Sequence, residues 1–326
     1  MKKLSLTLLI LLIVNPLLFS WGFYGHRIIN RMAVFALPPE MFGFYKFHID
    51  YLTEHAVDPD KRRYSDKEEA PRHYIDLDHF EKAIPIDTMP FDFEDAQKKF
   101  TLDTLLAYGI VPWHIVKVYN QLKYAFKEKN SQRILKLSAD IGHYIADAHV
   151  PLHTSENYNG QLTNQHGIHG FLESRLVELF AKDYDFFVGK ANYVNNMQAF
   201  GWKAVEGSFA ALDSVFLFER KAAESIPERE RFSYEQKGQN QIKVYSVKYA
   251  NAYHNMLNGM VERRMQAAIL AVACIWYSAW VDAGQPNLND LLDKKPEKAP
   301  KQKELEEMIG LETKEIENLK MIGRQE

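Results

Sequence analysis

Residues 131–153 read SQRILKLSADIGHYIADAHVPLH, and the repeat of apolar residues in this stretch decides the fold around it. Apolar side chains recur every three or four positions, which is the period of an amphipathic helix, and Ser131 is a suitable cap for its start. The apolar residues are Ile134, Leu137, Ile141, Tyr144, Ile145 and Ala148. The pattern therefore predicts one helix over residues 131–148.

Two polar residues of the same stretch suggest a chemical role for this helix. His143 and Asp147 stand four positions apart, so both side chains leave the helix from one face. His153 follows shortly afterwards, and His169 and Glu173 repeat the four-residue spacing. Imidazole and carboxylate groups are ligands that zinc takes in proteins. Two such pairs so close together in the sequence indicate a metal site.

Helical periodicity extends over most of the remaining chain. It recurs over residues 27–47, 112–129, 166–180, 195–220 and 239–283, and no segment shows a convincing alternation typical of strands. Residues 267–280 are apolar nearly all round, which predicts a buried central helix, because the run is short for a membrane span. We therefore predict an all-α fold in which residues 21–290 form a single, mostly helical domain.

The first twenty residues have the anatomy of a secretory signal peptide. Lys2 and Lys3 precede an apolar run over residues 4–19, and the small residue Ser20 stands at the expected cut. We predict cleavage after Ser20 and export to the periplasm or the medium, with no transmembrane segment left afterwards. The cut would expose the amine of Trp21, which can chelate a cation together with its own carbonyl.

Composition and charge restrict the remaining possibilities. Hydrophobic residues make up 46% of the chain and the formal net charge is −3, so a packed globular protein is expected and strong attraction to polyanions is not. Cys274 is the sole cysteine, which excludes an internal disulfide and favours a small buried hydrophobe. Residues 291–326 form a charged tail, either a solvated segment with a marginal helix or a docking arm. No obligate protein partner is inferred.

Four motifs in one order resemble a known superfamily. They are Trp21-Gly-Phe-Tyr-Gly-His26, Asp58 fifteen residues before His73, His143-x-x-x-Asp147-x-x-x-x-x-His153, and His169-x-x-x-Glu173. Together they are similar to the trinuclear zinc phosphodiesterases. That superfamily contains bacterial zinc-dependent phospholipases C and single-strand-specific zinc nucleases with 3′-nucleotidase activity. The resemblance implies the all-α fold of the phospholipase C and zinc nuclease type.

The resemblance also implies about three zinc ions and assigns their ligands. The first ion would take Asp58, His73, His143 and Asp147; the second the amine and carbonyl of Trp21 with His26 and the shared Asp147; the third His153, His169 and Glu173. Asp60 competes with Asp58 for its position, and the spacing to His73 favours Asp58. The other histidines are interpreted as ordinary, although His149 and His166 neighbour ligands and could support them.

The implied chemistry is hydrolysis of a phosphoester by a zinc-bound hydroxide. Zinc lowers the pKa of bound water from about 15.7 to roughly 7, so hydroxide is available at neutral pH. Asp58 and Asp147 are the candidate catalytic carboxylates. Tyr74 could stack on a base, and Lys61 could bind a phosphate, although an exposed lysine without function is the other interpretation.

The substrate class depends on small features. Two features are similar to the nucleases: the segment Trp21–His26, and Tyr74. Two others are similar to the phospholipases: Glu173, and the short loop between His153 and His169. The prediction is an exported phospholipase C-type phosphodiesterase, with a phospholipid or a single-stranded nucleic acid or nucleotide as substrate. The alternative within the superfamily is a single-strand-specific endonuclease with 3′-nucleotidase activity. The alternative of another class is a secreted zinc-binding protein without catalysis, which the open coordination positions disfavour.

Overall fold

A computed structural model describes residues 22–81, 88–237 and 240–292. The predicted signal peptide, Trp21 and all but the first two residues of the charged tail lie outside these residues. The main helices are α1 Gly22–Ala33, α2 Pro39–Phe47, α3 Ile49–Glu54, α4 Asp58–Arg62, α5 Leu77–Glu81, α6 Phe93–Phe100, α7 Leu102–Tyr108, α8 Val111–Lys127, α9 Ser131–Ala148, α10 Ile168–Gly170, α11 Leu176–Phe180, α12 Met197–Ser225, α13 Val247–Met256 and α14 Met260–Asp282. Short 3₁₀ turns connect several of them. The prediction of an all-α fold is confirmed.

Helix α9 is the centre of the packing. It spans the predicted residues, but its N-cap is Asn130, whose side chain accepts a hydrogen bond from the Arg133 amide at 3.1 Å. Every residue from Leu137 to Ala148 is buried, because α9 packs against α1, α8, α12 and α14. The polar face of the helix therefore points into the protein, where its ionisable groups need partners.

Helix α14 is the second central element. Of the described helices it alone is long and apolar enough to cross a membrane, yet two thirds of its most apolar window is buried inside the protein. The Trp276 indole donates a hydrogen bond to the Ser138 carbonyl of α9 at 3.0 Å. The predicted buried central helix is thus confirmed. Cys274 is also buried, and its sulfur accepts a hydrogen bond from the Asn192 amide.

Two predicted helices are divided in the structure. Residues 27–47 form two helices because Pro38 and Pro39 end one and begin the next. Within residues 239–283, α13 and α14 are separated at Asn258 and Gly259, which both have positive φ angles (48° and 73°). A left-handed backbone stops a helix, and glycine adopts it without strain.

The prediction that no strand exists is wrong for one segment. Strands β1 Phe232–Lys237 and β2 Asn240–Tyr245 form an antiparallel hairpin in which Phe232 faces Tyr245. Each strand has only six residues, so its alternation is too short to stand out in the sequence. The hairpin packs beside the segment that carries Glu173, where Tyr245 stacks on Phe171 with 3.9 Å between ring centroids.

Candidate metal centre

Helix α1 reaches the candidate site because it packs very closely on α9. Gly142 permits this approach: a Cβ atom added there would lie 2.0 Å from Asn30 Oδ1. The Asn30 amide in turn donates hydrogen bonds to the carbonyls of Leu52 and Ala139, at 3.3 and 3.1 Å. One turn before Asn30, the His26 ring stacks on the His143 ring with 3.9 Å between centroids. A glycine contact thus places a histidine of α1 against a histidine of α9.

Four buried side chains from separate parts of the chain meet beside this stack. They are His73, His143 and Asp147, with Asp60 beside them, which we call the Asp147 group; Asp60 and His143 also converge with His26. His73 Nδ1 lies 2.9 Å from Asp147 Oδ2 and 3.0 Å from His143 Nε2, and the last two atoms are 3.2 Å apart. Asp60 Oδ1 lies 3.6 Å from His143 Nε2 and 3.9 Å from His73 Nδ1. Nitrogen and oxygen donors therefore converge on one small space.

These distances fit a tetrahedral zinc ion. Zinc–ligand bonds of about 2.0–2.2 Å in a tetrahedron place the ligand atoms roughly 3.3 Å apart. His73, His143 and Asp147 lie 2.9–3.2 Å from one another, and Asp60 lies 3.6 Å from His143 and 3.9 Å from His73. Asp60 Oδ2, which is buried, makes no hydrogen bond to any described residue. Buried carboxylates normally have partners, so a cation is the group that suits this set of donors.

Asp147 can also serve a second metal. Its Oδ2 atom faces His73 and His143, whereas its Oδ1 atom lies 3.4 Å from His26 Nε2. A carboxylate with its two oxygens directed at two sets of nitrogens has the geometry of a bridging ligand. Trp21, predicted to complete the second set, lies outside the described residues. Its neighbour Gly22 packs close to Ser174, the residue after Glu173, so the start of α1 adjoins the rest of the centre.

His153, His169 and Glu173 form a third set, which we call the Glu173 group. All three side chains are buried, and Nε2 of His153 and of His169 lie 3.7 and 3.4 Å from the Glu173 carboxylate. Glu173 lies in a π-helical turn, Phe171–Arg175, inserted between α10 and α11. Such turns are frequent at functional sites. The Nε2 atom of His169 has no hydrogen-bond partner among the described residues, as expected of an atom that binds a metal.

Backbone carbonyls orient three of the histidines. Nδ1 of His143 lies 2.9 Å from the Ala56 carbonyl, and Nδ1 of His153 lies 2.7 Å from the His73 carbonyl. His169 makes the same contact with the Tyr158 carbonyl at 3.2 Å. A carbonyl can only accept, so each Nδ1 carries a proton and each Nε2 is the nitrogen left to bind a metal in the centre. This is the arrangement by which proteins prepare histidines for metals.

The electrostatics of the centre favour ionised carboxylates. Burial opposes the charged form of Asp147, but His143 and the other histidines outweigh it and hold its pKa well below the usual value. Burial likewise opposes ionisation of Glu173, and His169 and His153 lower its pKa. Despite burial, Asp147 and Asp60 raise the pKa of His143 to about 9. When the neighbouring histidines are neutral, bound cations can balance the negative charge of these buried carboxylates.

The structure places Asp60, and not Asp58, which was predicted as ligand and catalytic carboxylate, beside the other donors. Asp58 points away from the centre, and its oxygens bond to His55 Nδ1 at 2.5 Å and to Lys61 Nζ at 2.8 Å. Burial raises its pKa, but these two partners outweigh burial and lower it. Both aspartates belong to the short helix α4, where a difference of two positions reverses the direction of the side chain. Asp60 therefore occupies the position predicted for Asp58.

The predicted substrate-binding residues do not meet in a binding surface. Tyr74 is fully buried and its hydroxyl donates a hydrogen bond to the Ala107 carbonyl, so it cannot stack on a nucleic acid base. The reason is the turn at Gly109, where the chain passes so close to Tyr74 that no side chain fits. Lys61 is about half exposed, and its ammonium group pairs with Asp58. This pairing directs Lys61 to the carboxylate that lies away from the metal centre.

The histidines interpreted as ordinary stay outside the metal groups of the described residues. His149 is buried, and its Nδ1 bonds to the Ile145 carbonyl at 2.7 Å. Burial, with Arg264 nearby, lowers its pKa to about 4. Sequence reasoning missed Glu69, a fully buried carboxylate 3.6 Å from His73 Nε2. Glu69 precedes His73 by four residues, and this spacing was the sequence signal that could have identified it.

Fold and site together define an all-α protein with buried groups of histidines and carboxylates that can hold metal ions. No family model matches the sequence, and no curated protein matches it. Among solved structures, the chain is similar to the alpha-toxin of Clostridium perfringens from an avian strain, with 16% identity and a TM-score of 0.43. The match covers 85% of this chain and 66% of the toxin chain, so the chain spans slightly less than two thirds of that structure. The chemical assignment rests on the site residues.

Proposed function

We propose that the protein is an exported zinc-dependent phosphoester hydrolase of the phospholipase C type. The observation that carries the proposal is the Asp147 group, in which His73, His143 and Asp147 lie 2.9–3.2 Å apart with Asp60 within 3.6–3.9 Å of the two histidines, separations that suit zinc ligands. The Glu173 group adds a second set with three ligands. Structural zinc sites are closed by four protein ligands of their own, whereas the Glu173 group has three and the Asp147 group shares Asp147 with a second set. This difference favours an enzyme over a non-catalytic zinc-binding protein.

Zinc, when bound in such a site, lowers the pKa of water and stabilises negative charge on phosphate oxygens. The chain's own residues have separate roles. Asp147 holds two ligand sets at a fixed separation, since its two oxygens face different histidines. Asp60 Oδ2 has no protein partner among the described residues and can accept a proton from an attacking water molecule. Asp60 thus takes the catalytic role predicted for Asp58.

A phospholipid is the proposed substrate class. Tyr74 had favoured a nuclease, and this support is lost because its side chain is buried where the chain turns at Gly109. Glu173 and the short loop between His153 and His169 remain, and both resemble the phospholipases. The formal net charge of −3 provides no general attraction for a nucleic acid. The zinc nuclease with 3′-nucleotidase activity stays the alternative within the superfamily.

A substrate panel tests the proposal directly. Exported, zinc-loaded protein is assayed with phosphatidylcholine, single-stranded DNA, RNA and 3′-nucleotides, with Asp147→Asn as the inactive control. We expect release of phosphorylcholine from phosphatidylcholine and loss of most of that activity in the variant. Preferential cleavage of DNA, RNA or nucleotides would establish the nuclease alternative. Zinc-loaded protein that cleaves none of these substrates would contradict the proposed function.

A further inference from the structure

The ring of His73 is oriented differently from the rings of His143, His153 and His169. His143, His153 and His169 direct Nε2 at the metal groups, whereas His73 directs Nδ1 at Asp147 and His143. The opposite nitrogen, Nε2, points out of the centre. It lies 3.6 Å from Glu69 Oε1 and makes no hydrogen bond to a described residue at this separation. A carboxylate thus stands where the other rings have a backbone carbonyl.

Glu69 is held in place from several directions. Its side chain is fully buried, and Arg72 and Arg62 donate hydrogen bonds to its carboxylate, at 2.8 Å from Arg72 Nη1 and 3.3 Å from Arg62 Nε. The Tyr144 hydroxyl donates another hydrogen bond to it. Arg62 is fixed in turn, because its Nη1 donates to Asp140 Oδ1 at 3.1 Å. A carboxylate restrained by three donor side chains cannot rotate away from the ring behind it.

The charge around Glu69 keeps the carboxylate ionised. Two arginines contact it, so the cost of burying its negative charge is offset by paired positive charge. An ionised carboxylate accepts hydrogen bonds and cannot donate them. The only way for it to interact favourably with His73 Nε2 is for that nitrogen to carry the proton. The lone pair of the ring is then left on Nδ1, which faces the Asp147 group.

We propose that Glu69 is a positioning residue that fixes His73 with its proton on Nε2 and its Nδ1 lone pair directed at the metal. This inference rests on the metal centre of the proposed function and adds a carboxylate outside the ligand set. A charged partner also increases the basicity of the ring more than a neutral carbonyl does, which strengthens its bond to a metal. Loss of such a partner typically weakens metal affinity about 10- to 100-fold.

Zinc competition with a chromogenic chelator tests the role of Glu69. Glu69→Gln removes the carboxylate charge and keeps the shape of the side chain. We expect one of the bound zinc ions to bind roughly 10-fold more weakly in this variant. The zinc of the Glu173 group should be unaffected, because its histidines use backbone carbonyls. Glu68→Gln is the matched control: Glu68 is adjacent and part-exposed, and its side chain lies 3.7 Å from Arg72. Equal zinc affinities in both variants and wild type would overturn the proposal.

Nitrogen NMR separates positioning from a purely structural role. In zinc-loaded protein labelled with ¹⁵N-histidine, wild-type His73 should show a protonated Nε2 that exchanges slowly with water, whereas in Glu69→Ala this proton should exchange faster or the ordered signal should be lost. A structural residue would change only the urea midpoint of the zinc-free protein, with zinc affinity and nitrogen shifts unchanged. Phosphatidylcholine hydrolysis is measured separately. Wild-type protein that binds zinc without turnover would defeat the proposed function and leave the Glu69 assignment intact.

Discussion

At the residue scale, the decisive difference lies between two aspartates of α4. Asp58 and Asp60 are two positions apart, yet one pairs with His55 and Lys61 while the other faces His73 and His143. The sequence offered both at nearly the same spacing from His73. Only the direction of a five-residue helix, Asp58–Arg62, decides which carboxylate reaches the metal centre.

Asp60→Asn should therefore damage the centre, whereas Asp58→Asn should not. Replacing the Asp60 carboxylate by an amide removes a charged ligand and a proton acceptor, so we expect loss of about one zinc and a fall in phosphodiester hydrolysis of roughly 100-fold or more. Asp58→Asn weakens only the partly exposed contacts with His55 and Lys61, and exposed ion pairs are worth about 1 kcal/mol or less each. Zinc content by atomic emission and initial rates of hydrolysis measure both. The reverse ranking would reinstate Asp58 as the ligand.

Tyr74 and Lys61 show that residue type alone does not predict accessibility. Both residue types are suited to bind nucleotides, but Tyr74 is buried and Lys61 is engaged by a neighbouring carboxylate. A residue type predicts what a side chain is able to do. Its accessibility depends on where the chain turns, here at Gly109.

At the scale of elements, the close contact of α1 with α9 positions the histidine pair. Gly142 leaves no room for a side chain, because Asn30 fills the space and donates to two backbone carbonyls there. The same contact brings His26 onto His143. A helix pair at this distance is rigid, which suits a site whose ligand atoms must stay within about 0.5 Å of their places.

Gly142→Ala should separate these two helices. The added methyl would displace the buried Asn30 amide and cost about 1–3 kcal/mol of unfolding free energy. Zinc binding that depends on His26 should weaken as well. Gly201→Ala is the control, since its Cβ would have ordinary contacts of 3.6 Å or more and alanine favours a helix interior. Urea unfolding and zinc titration measure the two effects, and an unchanged midpoint for Gly142→Ala would contradict this account.

At the scale of the whole molecule, the metal centre joins parts of the chain that are far apart in sequence. The candidate ligands come from α1, α4, α9, α10, the 3₁₀ turns Ala70–His73 and Pro151–Thr154, and the π-helical turn Phe171–Arg175. Central packing of α9 against α1, α8, α12 and α14 brings these parts together. The carboxylates of the centre are buried, so metal binding and folding are expected to support each other.

The predicted cleavage after Ser20 offers a test of this arrangement at the scale of the whole molecule. A cytoplasmic version that begins Met-Trp21 has an amide in place of the free amine of Trp21, and an amide nitrogen is a poor zinc ligand at neutral pH. We expect it to hold about one zinc fewer than protein cleaved after Ser20, with lower turnover and an occupied Glu173 group. Zinc content and hydrolysis rate of the two preparations give the answer. Equal values in both would remove Trp21 from the centre.

The sequence by itself determined the helical class, helix 131–148, and the pairs His143 with Asp147 and His169 with Glu173. These features are local: a period of three to four residues and a spacing of four follow from helix geometry alone. Tertiary structure decided that Asp60 replaces Asp58, that Tyr74 is buried, that Glu69 stands behind His73, and that residues 232–245 form a hairpin. Each of these depends on which distant segments pack together, because side-chain direction, burial and strand pairing are set by contacts between residues far apart in the chain.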